Sequence, residues 1–137
     1  MSDDDYAYDD DEDAVGTCFI DLGFGNWGWS IYLPATGTYT FPVYAGAGQC
    51  DITKGTYVGD VTVVYGGGTA TFNYAFEPGF STEETHFYAG TTPTPLKKQG
   101  KNWVPTVAPG QYYISSNLPS TGIYIIAHAV VCSSDWD

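Results

Sequence analysis

Residues 123–132 run Ile-Tyr-Ile-Ile-Ala-His-Ala-Val-Val-Cys, the most apolar stretch of the chain. It falls well short of the roughly 18 residues that a membrane-spanning helix needs. Its β-branched residues are stiff at χ1 and suit a pleated strand better than a helix. Apolar side chains fall on both parities, so the segment reads as a central strand buried on both faces. The rest of the chain must then be read for its neighbours in a sheet.

Those neighbours are legible as short alternating segments punctuated by glycine and proline. Residues 17–22 form a first strand, ended by Gly23 and Gly25. Residues 27–33 place Trp27, Trp29 and Ile31 on one face. Residues 38–44 alternate, with Tyr39, Phe41 and Val43 on one side, and Pro42 marks an edge position or a bulge. Residues 57–65 and 69–76 flank Gly66-Gly67-Gly68 and predict a hairpin, since glycine tolerates positive φ. Residues 85–89 and 111–115 are shorter strands. Residues 91–110 are a proline-rich loop carrying Lys97, Lys98 and Lys101. About eight or nine such strands, with no helical periodicity, predict an all-β fold: an antiparallel β-sandwich or a closed barrel.

Charge divides the chain. Residues 1–16 hold Asp3, Asp4, Asp5, Asp9, Asp10, Asp11, Glu12 and Asp13, whereas the remainder is only mildly acidic within a net charge of −12. This gives an extended acidic N-terminal arm, residues 1–16, and a single domain, residues 17–137. Nucleic acid is excluded as a partner, because its phosphates must be neutralised by Lys or Arg and arginine is absent. Anionic membrane surfaces are disfavoured for the same reason, and no segment predicts membrane insertion.

Alone, the arm would be disordered by self-repulsion. Ordering it requires metal ions, another subunit or the domain's own surface. Tyr6 and Tyr8 share a parity, so a strand there would turn two rings inward while Asp9, Asp10, Asp11 and Asp13 remain near the solvent. That suits a strand added to the edge of a sheet. Asp9, Asp11 and Asp13 are candidate ligands for calcium, which wants six to eight oxygens, although an EF-hand's central glycine is missing. A solvated charge run is the alternative.

Cys18, Cys50 and Cys132 contain no C-x-x-C pair, which argues against a four-ligand zinc site. A Cys50–Cys132 disulfide would close a loop of 82 residues and stabilise the fold by about 4 kcal/mol. Three buried thiols are the alternative. With the bridge, Cys18 is left over, either buried or joined to another subunit. Disulfide chemistry points to an extracellular or cell-surface location, although Met1 is followed by acids and not by the basic start of a secretory signal.

Signatures of catalysis are missing: no G-x-S-x-G elbow, P-loop, dinucleotide fingerprint or H-E-x-x-H occurs. The expectation is a protein that is not an enzyme. His86 follows Glu83-Glu84-Thr85, and His128 lies among small apolar residues; if the two met, they could hold a metal together with Glu84. A hydrogen-bonded core histidine is the plainer reading of His128. Trp27, Trp29, Trp103, Tyr112 and Tyr113 could instead form a sugar-stacking platform or an interface. Trp136 is expected to pack across an interface or onto the body.

The series Phe24-Gly25-Asn26-Trp27-Gly28-Trp29, Tyr44-Ala45-Gly46-Ala47-Gly48-Gln49-Cys50-Asp51, Lys54-Gly55-Thr56-Tyr57-Val58-Gly59, Glu84-Thr85-His86-Phe87-Tyr88-Ala89-Gly90, Val107-Ala108-Pro109-Gly110-Gln111-Tyr112 and Ala127-His128-Ala129-Val130-Val131-Cys132 resembles a family of secreted bacterial proteins of unknown function. The resemblance spans residues 17–132 and implies export and the Cys50–Cys132 pairing. Together these features predict a non-catalytic extracellular assembly subunit, a filament or surface-layer protomer whose main partner is another copy of itself. A glycan-binding or adhesion module is the second expectation. No cofactor is implied apart from calcium.

Overall fold

The computed structural model describes residues 2–134, with side chains from Asp3 onward. The protein is all-β, with 55% of it in strands and no α-helix among the described residues. The strands are β1 (Ser2–Ala7), β2 (Val15–Cys18), β3 (Trp29–Leu33), β4 (Gly37–Ala45) and β5 (Thr56–Gly66). They continue with β6 (Thr69–Phe76), β7 (Phe80–Gly90), β8 (Leu96–Gln99), β9 (Asn102–Pro105) and β10 (Ile123–Ser133). Pairing is antiparallel throughout these strands.

β10 is the spine. It pairs with β7 along one edge, and with β3 and then β1 along the other. Both of its faces are covered, as its sequence requires: Ile123, Ile125, Ile126, Ala127, His128, Ala129 and Val131 are all buried. From β1 the sheet continues through β4 and β5 to β6. It curls until Phe72 on β6 stacks against Phe87 on β7, with ring centroids 4.6 Å apart. The sheet does not close into a barrel, and the architecture is that of a β-sandwich. Phe41, Val43, Val61 and Val63 are fully buried at its centre, and each such side chain stabilises the fold by about 1.5–3 kcal/mol.

Local chemistry explains several elements. Gly67 and Gly68 both take positive φ, 60° and 81°, giving the two-residue turn between β5 and β6. Pro42 lies inside the sheet where the β1 ladder ends: Tyr8 N–H donates to Pro42 O at 2.9 Å, and the proline has no N–H to return. A bulge follows in β5 at Val58, between the pairs Val43–Gly59 and Tyr44–Tyr57. Pro42 itself is in register with Asp60, one residue from the irregularity and just past the last β1 pair at Val43.

Four expectations are corrected. First, the disulfide joins Cys18 to Cys50, while Cys132 is a half-buried free thiol. Loop entropy favours the longer loop by only about 0.8 kcal/mol, too little to choose the partner, and packing chose it. Cys18 ends β2 opposite Trp29, and the Gly28 N–H reaches the Cys50 sulfur at 3.5 Å, whereas Cys132 faces Ser81 and Ser2 in the sheet.

Second, residues 2–7 are not a separate arm but an interior strand. β1 lies between β10 and β4 and hydrogen-bonds to both. Two ladders and the burial of Tyr6 and Ala7 outweigh the charge of the segment.

Third, residues 17–22 divide into the end of β2 and a 3₁₀ turn, Phe19–Leu22, which Gly23 ends at φ 96°. Fourth, the proline-rich loop contains the β8–β9 hairpin, turning at Gly100 (φ 64°), and the strand expected at 111–115 is a single bridge from Ile114 to Ala89. Trp136 lies outside the described residues.

Candidate functional site

Register places three residues side by side on one face of the sheet. Tyr6 on β1 faces His128 on β10, which faces His86 on β7. His128 Nε2 lies 2.9 Å from Asp4 Oδ1, His86 Nε2 lies 3.3 Å from Glu84 Oε2, and the two Nδ1 atoms are 3.2 Å apart. A continuous row results: Asp4, His128, His86, Glu84. His128 is buried and His86 half-buried, while the two carboxylates at the ends are exposed. Burial lowers the His128 pKa; Asp4 opposes that shift, and His86 adds to it. The sequence had linked His86, His128 and Glu84. It had not linked Asp4, because strand β1 was not assigned to this sheet.

Tyr6 is the centre of an aromatic cluster. Its ring lies edge-on to Phe19 at 5.4 Å and to Trp27 at 5.1 Å, and tilted against His128 at 4.9 Å. Burial pushes its hydroxyl pKa up to about 12, opposed by its hydrogen bond with the Tyr112 hydroxyl. Tyr8 is half-buried between Trp29 and Tyr44. The turn at Phe19 has a specific support: a Cβ at Gly28 would come within 2.4 Å of the Phe19 ring, so the bare glycine backbone lets the ring settle.

A cleft of about 470 Å³ opens beside this cluster, lined by Asp4, Tyr6, Ile20, Asn26, Trp27 and Gln49. The disulfide ties its two walls together, because Cys18 precedes the Phe19 turn and Cys50 follows Gln49. Of the five aromatics expected as one platform, Trp27 and Trp29 meet edge-on at 5.7 Å, but the five do not share one exposed face. Trp29 is buried in the core, Trp27 borders the cleft, Tyr112 donates its hydroxyl to Val107 O at 2.8 Å, and Tyr113 packs on Tyr88. Trp103 is 63% exposed on β9, opposite Lys98.

The acidic segment forms a compact turn. Asp9 Oδ1 accepts from Asp11 N–H at 3.1 Å, Asp11 Oδ1 accepts from Asp13 N–H at 2.9 Å, and Ala14 N–H donates to Asp11 O at 3.2 Å. Asp10 and Asp13 are exposed. No group of three or more acidic, histidine or cysteine side chains among the described residues is placed to hold a metal. Asp9, Asp11 and Asp13 do not gather into such a group.

Asp5 was missed as a special position. It faces Ala45 and Ala129 on the opposite side of β1 from Tyr6, fully buried, and neither carboxyl oxygen has a hydrogen-bond partner. Burial raises its pKa from 3.8 to about 8; the Ala129 backbone opposes this, and Asp4 and Asp3 add smaller contributions to the rise. The Tyr74 hydroxyl is likewise buried without a partner. The only sequence signal was the alternation that put Asp5 in phase with Ala7.

No protein-family model, curated protein or solved structure matches the chain.

Proposed function

We propose that the protein is a non-catalytic extracellular assembly subunit in which β1 exchanges between copies. The observation that carries this reading is the position of β1. It occupies an interior place in the sheet, paired on both edges, yet residues 8–14 alone join it to the remaining described strands. Withdrawing it would leave the facing edges of β4 and β10 unpaired, and β1 of a second copy can fill that gap in the same register. Repeated head to tail, such an exchange grows without closing.

Two features support it. The connection carries Asp9, Asp10, Asp11, Glu12 and Asp13 in one compact turn, and extending it relieves their mutual repulsion. Its seven residues reach about 25 Å when extended. Asp5 makes the seat of β1 costly, which keeps the strand exchangeable. The Cys18–Cys50 bridge supports an oxidising, extracellular setting.

The test uses the free thiol. Ser2 and Cys132 are directly opposite in the β1–β10 ladder, within the Cα range that a disulfide spans. The Ser2→Cys variant, oxidised after assembly, should run as a ladder of linked chains on non-reducing gels. Light scattering and electron microscopy of the wild type should show concentration-dependent polymers. A wild type that stays monomeric at high concentration, with every cross-link inside one chain, sinks the proposal.

A second reading rests on the cleft. Trp27 with Asn26, Gln49 and Asp4 supplies an aromatic face and polar groups of the kind that bind sugars. A glycan array would register binding that Trp27→Ala abolishes and Trp103→Ala leaves intact. Silence across the array would set this reading aside.

A further inference from the structure

The geometry points to a transition-metal site at the facing Nδ1 atoms of His86 and His128, with Asp4 and Glu84 as its outer partners. The hydrogen-bond inventory of the row leaves room for a cation there. An ionised carboxylate only accepts, so His128 Nε2 donates to Asp4 at 2.9 Å, and His86 Nε2 lies 3.3 Å from a second carboxylate, Glu84. A neutral imidazole carries one N–H, so the His128 Nδ1 presents a lone pair, and the His86 Nδ1 does so when its proton is on the Nε2 beside Glu84. The two lie 3.2 Å apart on the facing edges of rings whose centroids are 5.3 Å apart. Two lone pairs at that distance repel unless something positive sits between them.

A metal fits the space. With metal–nitrogen bonds of 2.0–2.1 Å, the observed separation corresponds to an angle at the metal of about 100–105°, close to tetrahedral. Histidine ligands characteristically donate their other N–H to a carboxylate, which orients the ring and raises its basicity. His128 has that partner in hydrogen-bond contact, and Glu84 lies beside the Nε2 of His86. Imidazole donors select zinc, copper or nickel over calcium or magnesium.

The site is rigidly built on its protein side. The histidines are direct cross-strand neighbours on β7 and β10, and His128 is held further by the Tyr6 ring. Two protein ligands leave the other positions to water or to a donor from a bound partner. His86 and Glu84 are open to solvent on that side, so an ion can enter without unfolding the sheet. β7 and β10 remain paired whether or not β1 exchanges, and β1 of a second copy in the same register would bring its own Asp4 to His128.

The experiment is a calorimetric titration of chelator-stripped, full-length protein with zinc chloride, with calcium chloride as a control. The expected result is one saturable equivalent of zinc and no comparable calcium binding. His86→Ala, at a half-exposed position that tolerates truncation, should abolish it. Asp4→Asn should weaken it about 10–100-fold. Asp11→Asn, in the acidic turn, should change nothing. NMR would place the largest zinc-induced ¹⁵N shifts on the two Nδ1 atoms. Absence of saturable binding means that a shared proton fills the gap and overturns the proposal. Equal affinity in the wild type and His86→Ala overturns it too, because the zinc would then be on the surface acids.

Discussion

Replacing Asp5 with asparagine should uncouple the stability of the fold from pH near neutrality. The carboxyl is buried on β1 between Ala45 and Ala129, and neither oxygen is hydrogen-bonded. Desolvation raises its pKa from 3.8 to about 8; the Ala129 backbone offsets part of this, while Asp4 and Asp3 add to it. Burial raises the pKa of the Tyr74 hydroxyl, and the charge of the same carboxyl adds to that rise. Between those two values the folded state holds a proton that the unfolded chain has released, so stability falls as pH rises. Stability is fully present below about pH 4, declines through the window, and is flat above about pH 8. Each pH unit is worth about 1.4 kcal/mol, so by about pH 7 some 4 kcal/mol is lost relative to about pH 4. Asparagine has nearly the same shape and no proton to lose. Urea unfolding of wild type and variant at both pH values is the assay. All other titrating groups are common to both proteins, so the difference between them isolates Asp5. The variant's advantage should grow by about 4 kcal/mol from acid to neutral pH. A constant difference between the two would refute the burial of an unpaired carboxyl, and with it the argument that β1 is held weakly.

Other expectations follow from packing and cross-linking. Cys50→Ser should lower unfolding free energy by about 3.5–4 kcal/mol, from a separation of 32 residues, whereas peptide mapping should find Cys132 alkylated in the native sequence without reduction. Gly59 sits at φ 151°, and a Cβ there would meet Ala75 O at 2.3 Å; Gly59→Ala should therefore cost more than about 2 kcal/mol in chemical denaturation. Phe41→Ala, at a fully buried position, should cost about 3–5 kcal/mol in the same assay.

The sequence by itself determined the all-β class, the spine at β10, the buried side of β4 and the β5–β6 hairpin. Each follows from interactions within a few residues: alternation with period two, stiff β-branched side chains, and glycines that accept positive φ. Even the alternation of β1 was legible, with Tyr6 and Tyr8 in phase. Only the tertiary structure decided where those features met. Cys50 found Cys18 because two loops pack beside Gly28, a choice to which loop entropy is nearly indifferent. His86 met His128, and Asp4 joined them, because ladders between distant strands settled into one register. The acidic segment entered the sheet for the same reason. Its charge opposed burial locally, but the unpaired edges of β4 and β10 offered backbone hydrogen bonds that no local rule could anticipate.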